Sequence, residues 1–143
     1  MVVPTAMSSD AGRDVSGAAV TAAALLTGIA GYQLAVAAGA PLGEHVWGGR
    51  YDAVLPPKMR AASGASAVVL LGVAVVALVA TGTLRLPFLE RRVARRVTAV
   101  LVAYFALNTA GNLTSESMVE KVVMGSVTTM LTVFLVRIAR TAP

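Results

Sequence analysis

The chain has 143 residues, a net charge of +5, 57% hydrophobic and only 13% charged residues, and a mean hydropathy of +0.77. A soluble domain carries roughly 25% charged residues, so an ordinary soluble globular protein is excluded, and so is a disordered chain. The lack of cysteine removes disulfides, thiolate metal sites, Cys nucleophiles and redox couples, and a lone histidine, His45, rules out di-histidine metal sites and paired-imidazole haem.

A helix needs about 20 apolar residues to cross the hydrocarbon layer, and the uncharged runs predict four such spans, at about 15–39, 61–82, 95–114 and 120–138. The expected fold is therefore all-α, a four-transmembrane-helix bundle. One integral membrane domain covers 15–138, with tails at 1–14 and 139–143. Pro41 stops the first span. A cleaved signal peptide ending near Ala35-Val36-Ala37 is the rival reading. Against it, Asp10, Arg13 and Asp14 are not a positive n-region, and the apolar run is too long. The fourth span is the shortest and requires Lys121 and Arg137 to snorkel to the interfaces.

The basic residues orient these spans. Arg13, the loop set Arg85, Arg91, Arg92, Arg95 and Arg96, and Arg137 with Arg140 make eight on one side; Arg50, Lys58, Arg60 and Lys121 make four on the other. The positive-inside rule then places both termini in the cytoplasm of a multi-pass protein of the cell membrane, with the first and third loops outward. Arg91, Arg92, Arg95 and Arg96 are also placed to contact anionic lipid headgroups. Basic residues flanking apolar spans need no nucleic acid to account for them, and no nucleic-acid partner is expected.

Helices associate in lipid through small residues and interhelical hydrogen bonds. Gly31, Ala35 and Gly39 recur every four residues in the first span, as do Ala18 and Ala22. The second span opens on Ala61-Ala62-Ser63-Gly64-Ala65-Ser66-Ala67, and Gly125, Thr129, Thr132 and Val136 share a face of the fourth. These faces predict close backbone approach and leave room for a second copy or a membrane-protein partner beside the lipid bilayer.

Polar residues in the spans point to a site. Tyr104, Asn108, Asn112 and Ser115 form one stripe on the third span, at the depth of Tyr32 and Gln33 on the first. The first outward loop adds Glu44, His45, Trp47 and Arg50 above them, and Glu120 lies at the end of the third loop. Buried amides in lipid need partners, so the stripe either bonds to neighbouring helices or lines an outward-open pocket. Pro41, Gly43, Gly48, Gly49, Pro56 and Pro57 predict a loop of fixed turns folded over the bundle, with Trp47 and Tyr51 in the aromatic belt.

Chemistry has weaker signals. Glu44 beside His45 is an acid/base pair at most, with Arg50 near enough to hold an anion. No nucleophile motif or glycine-rich phosphate loop accompanies them, so no catalytic residue, cofactor or metal is assigned. The small multidrug resistance exporters carry a glutamate in their first helix; this first helix has none. Asn112-Leu113-Thr114 matches a glycosylation sequon but falls at a membrane boundary.

The segments Gly39-Ala40-Pro41-Leu42-Gly43, Trp47-Gly48-Gly49 and Leu55-Pro56, with Asn112-Leu113-Thr114-Ser115, Glu120 and Val123-Met124, resemble a family of small four-helix membrane proteins frequent in actinobacteria. The resemblance covers the chain from Gly31 onward. It implies the topology and lends no mechanism. The expected function is a membrane component that binds a partner protein or a lipid through its outward loops; the alternatives are a carrier or channel using the polar pocket and, third, an envelope-lipid enzyme.

Overall fold

The structure, a computed structural model, describes the backbone of residues 5–141 and the side chains of 12–140. It is all-helical, with four long helices: α1 (Thr5–Ala38), α2 (Pro57–Thr81), α3 (Arg91–Leu113) and α4 (Gly125–Thr141). A π-helical turn, Val119–Met124, leads into α4, and two 3-10 turns, Gly43–His45 and Trp47–Gly49, shape the α1–α2 loop.

Helix α1 begins ten residues before the expected span, because Ala and Met between the polar residues of 5–14 do nothing to stop a helix. Asp10 lies outside the residues whose side chains are described. Three helical stretches, Gly12–Ala38, Pro57–Thr81 and Val119–Arg140, are long and apolar enough to cross a membrane. Helix α3 is not among them: its first turns carry Arg91, Arg92, Arg95 and Arg96, and its last carry Asn108 and Asn112.

The helices run up and down. Helix α1 packs chiefly on α2 and α3 on α4, and the α2–α3 and α1–α4 contacts close the ring. Two of the reversals use the same device. Helix α1 ends at Gly39 in the left-handed region (φ +99), where Ala40 N bonds Ala35 O and Gly39 N bonds Val36 O at 3.0 Å each, the double bond of a Schellman end. Arg60 at the start of α2 donates from Nε to Ala37 O at 2.9 Å. Helix α2 ends at Gly82 (φ +78), and Arg91 at the start of α3 donates to Ala80 O (3.2 Å) and Thr81 O (3.1 Å). In each case a guanidinium satisfies carbonyls that the helix end leaves open.

The core fills the half of the bundle nearer the α2–α3 loop. It is built from Val15, Ala19, Ala22 and Leu26 of α1, Ala74, Ala77 and Ala80 of α2, Ala94 of α3, and Leu131, Leu135 and Ile138 of α4. The alanines let backbones approach closely, as expected for Ala18 and Ala22. The expected Gly31-Ala35-Gly39 face is not a packing face: Gly31 is exposed with open space around it, and Gly39 is spent on the helix end. On α4 the buried stripe is Thr128, Leu131, Leu135 and Ile138, one residue round from the expected Thr129 and Thr132. Thr129 is exposed and returns its hydroxyl to Gly125 O at 2.7 Å. A second apolar cluster, Val36, Val46 and Leu55, with Tyr32 and Tyr51 against it, seats the α1–α2 loop on the end of α1.

Candidate functional site: a capped cavity

The α1–α2 loop and the α3–α4 connection lie at one end of the bundle and are tied together by Glu120. Its Oε2 accepts the Gly48 backbone N–H at 2.8 Å and the Ser115 hydroxyl at 2.5 Å. Ser117 reinforces this knot: its N–H donates to Ser115 Oγ at 3.1 Å, and its own Oγ accepts from Glu120 N at 3.4 Å. Gly49 lies so close to Ser117 that a Cβ there would sit 3.1 Å from the Ser117 Cβ.

The loop reaches Glu120 through three successive residues of positive φ: Trp47 (+56), Gly48 (+85) and Gly49 (+70). Glycine adopts this conformation freely. Trp47 is the one non-glycine residue of positive φ among those described, at a cost of about 1–2 kcal/mol. Its indole Nε1 donates to Ser63 Oγ of α2 at 3.1 Å, which fixes the ring. Ser63 is fully buried, so this bond also satisfies its hydroxyl oxygen.

Beneath the loop lies a cavity of about 670 Å³, within the size range of small-molecule sites. Tyr32 and Gln33 of α1, Ser66 and Val69 of α2, Tyr104, Asn108 and Asn112 of α3, and Thr128 of α4 line its walls; His45, Trp47 and Arg50 roof it. Its lining on α2 and α3, notably Ala65, Val69, Tyr104, Asn108 and Gly111, is exposed, whereas Tyr32, Gln33 and Thr128 behind it are half-buried or buried. The cavity therefore opens sideways, between α2 and α3.

Of the residues singled out in the sequence, Tyr32, Gln33, His45, Trp47, Arg50, Tyr104, Asn108, Asn112, Ser115 and Glu120 all meet around this space. Glu44 does not line it and is exposed, which separates it from His45 and leaves no acid/base pair. The polar stripe does both things left open for it. Asn112 Nδ2 bonds Asn108 Oδ1 and Thr128 Oγ1, each at 3.3 Å, and so joins α3 to α4. Asn108, by contrast, is exposed on the cavity side. The Tyr32 hydroxyl and Gln33 Oε1 are buried with no hydrogen-bond partner among the described residues.

At the other end of the bundle the arginines divide. Arg91 is committed to the α2 carbonyls, Arg92 and Arg96 are exposed, and Arg95 is half-buried, its Nε without a hydrogen-bond partner among the described residues. Phe105 and Glu116 carry no signal in the sequence; Ser63 is read there only as one of a run of small packing residues, and Thr128 only as a neighbour of the threonine stripe. No group of three or more His, Cys, Asp or Glu residues that could hold a metal occurs among the described residues. No protein-family model, curated protein or solved structure matches this chain.

Proposed function

We propose that this chain is an integral protein of the cell membrane, with four spans and both termini cytoplasmic, that holds a lipid or other amphipathic molecule in the capped cavity. Helix α3 spans in this reading because the stretch between its arginines and its asparagines, 97–107, is uncharged and largely apolar: its arginines reach the cytoplasmic interface, Asn112 bonds Thr128 and Asn108 lines the cavity. The cap is then outward.

The observation that carries the binding reading is the pair of unpartnered buried groups, the Tyr32 hydroxyl and Gln33 Oε1, on the wall of a cavity of about 670 Å³. A buried polar group without a partner costs about 1–3 kcal/mol, and rotation of either side chain toward the cavity would let a bound molecule with polar atoms supply the missing bonds. A sideways mouth at membrane depth admits a molecule from the bilayer, and apolar Val69, Leu70 and Val73 suit its chain. The close-packed core below the cavity favours a closed binding site over a standing channel.

The test is mass spectrometry of protein purified in mild detergent. Wild type is expected to retain an amphiphile at about one per chain. Asn108→Leu, which narrows the mouth and leaves the Asn112–Thr128 bond in place, should lose it. Purified wild type carrying no retained molecule, and binding none when lipid is returned, would contradict the reading.

A further inference from the structure

Which end of an amphiphile sits under the cap is legible in the charges of the cavity. Glu120 lines it, and its carboxylate is held in place by bonds to Gly48 and Ser115 that use one oxygen only, Oε2. Neither bond brings a positive charge, and no basic side chain among the described residues is hydrogen-bonded to that carboxylate. Glu116 stands at the mouth as a second acidic group, against the single guanidinium of the exposed Arg50. The two carboxylates and one guanidinium leave one formal negative charge in excess. Four aromatic residues, Tyr32, Trp47, Tyr104 and Phe105, line the same space, and aromatic faces attract cations. The strained backbone of Trp47 and its bond to Ser63 hold that ring under the cap, where strain of this kind marks a position that the surrounding structure enforces.

Deepening the reading above, and resting on it, we infer that the occupant of the cavity is an amphiphile with a cationic head, its positive group set between Glu120 and the aromatic rings and its apolar chain leaving between α2 and α3. A half-buried carboxylate whose hydrogen bonds come from neutral donors, set in a lining with an excess of negative charge, is matched by a cationic head and repels an anionic one.

Trp47 is the only tryptophan of the chain and lies on the cavity wall, so its fluorescence reports occupancy directly. The full chain in neutral maltoside micelles is titrated with decyltrimethylammonium, decyl sulfate and decyl maltoside, which differ in the head alone. Wild type and Glu120→Gln are compared for each probe, so partition into the micelle cancels in the ratio. Glutamine keeps an acceptor for Gly48 N–H, so the cap is retained. The expected result is a saturable change with the ammonium probe that Glu120→Gln weakens at least tenfold, while sulfate and maltoside shift by less than twofold. If the Gln variant does not fold, Glu116→Gln carries the comparison, with at least threefold weakening expected for the ammonium probe alone. Saturable binding with no dependence on head charge, or tighter sulfate binding in wild type, overturns the cationic head and leaves the cavity reading standing. No saturable change with any probe overturns both.

Discussion

The backbone N–H of Gly48 donates to Oε2 of Glu120 across 2.8 Å, joining residues 72 apart in sequence and tying the α1–α2 loop to the entry of α4. Two loops from opposite halves of the chain thereby become one roof, and the cavity beneath it keeps its shape without a disulfide.

Removing that acceptor should loosen the roof. Glu120→Ala leaves the Gly48 N–H and the Ser115 hydroxyl without their partner, and an orphaned buried donor costs about 1–3 kcal/mol. A fall in the unfolding midpoint in detergent is expected for Glu120→Ala and a much smaller one for Glu120→Gln. Equal midpoints for wild type and the Ala variant would show that the bond does not hold the loops.

Glycine is required at the turn itself. Gly48→Ala and Gly49→Ala each place a Cβ on a residue of positive φ, at about 1–2 kcal/mol, and at Gly49 the new methyl also presses on Ser117. Gly49→Ala is therefore expected to be the more destabilising of the two. Gly31→Ala, at an exposed helical position with open space, should be neutral or slightly stabilising. Thermal unfolding of the three variants side by side checks the order.

The guanidinium caps make a further prediction. Arg60→Ala and Arg91→Ala should each lower stability by about 0.5–2 kcal/mol, the range of a lost helix cap. The lysine variants should recover only part of it, because a single ammonium cannot reproduce the fork with which Arg91 reaches both Ala80 O and Thr81 O. Recovery to wild-type stability by Arg91→Lys would show that charge alone matters there.

Within the polar stripe the two asparagines should behave differently. Asn112→Ala breaks the bond to Thr128 and is expected to cost about 0.6 kcal/mol, the average for such bonds in membranes. Asn108→Ala is expected to leave stability within 0.5 kcal/mol, the usual range away from packed features, and to reduce retention of the bound amphiphile. The reverse assignment, stability lost at Asn108 and retention at Asn112, would contradict the division drawn between them.

The membrane orientation is checked with the chain's own lack of cysteine. Single Asp52→Cys and Arg85→Cys variants put a thiol on exposed positions of the α1–α2 and α2–α3 loops. An impermeant maleimide applied to intact cells should label position 52 and spare position 85 until the membrane is opened.

Charge and apolar runs made four helices legible in the sequence, and polar spacing pointed to the residues that surround the cavity. What stayed hidden was rotation and reach. The Gly31-Ala35-Gly39 periodicity could not show which face of α1 meets α2, because small residues occur all round that helix; Ala19, Ala22, Leu26 and Ala30 are buried instead. The start of α3 at Arg91 was hidden because an arginine run reads as an interfacial loop, until Arg91 is seen to close the end of α2. Glu44 and His45 looked like a pair because they are adjacent, yet a 3-10 turn rotates successive side chains by about a third of a circle, and only His45 reaches the cavity. Ser63 is legible only as a small packing residue, since its bond exists only once Trp47 is folded onto it.

The measurement that bears most directly on a bound amphiphile is the density inside the cavity in a reconstruction of the full chain in lipid nanodiscs. One continuous non-protein feature is expected. It should have polar contacts to the Tyr32 hydroxyl, Gln33 and Glu120, and a tail leaving between Val69 and Tyr104. A closed space, with α2 and α3 packed along their whole length and Tyr32 and Gln33 bonded to protein atoms, would contradict it.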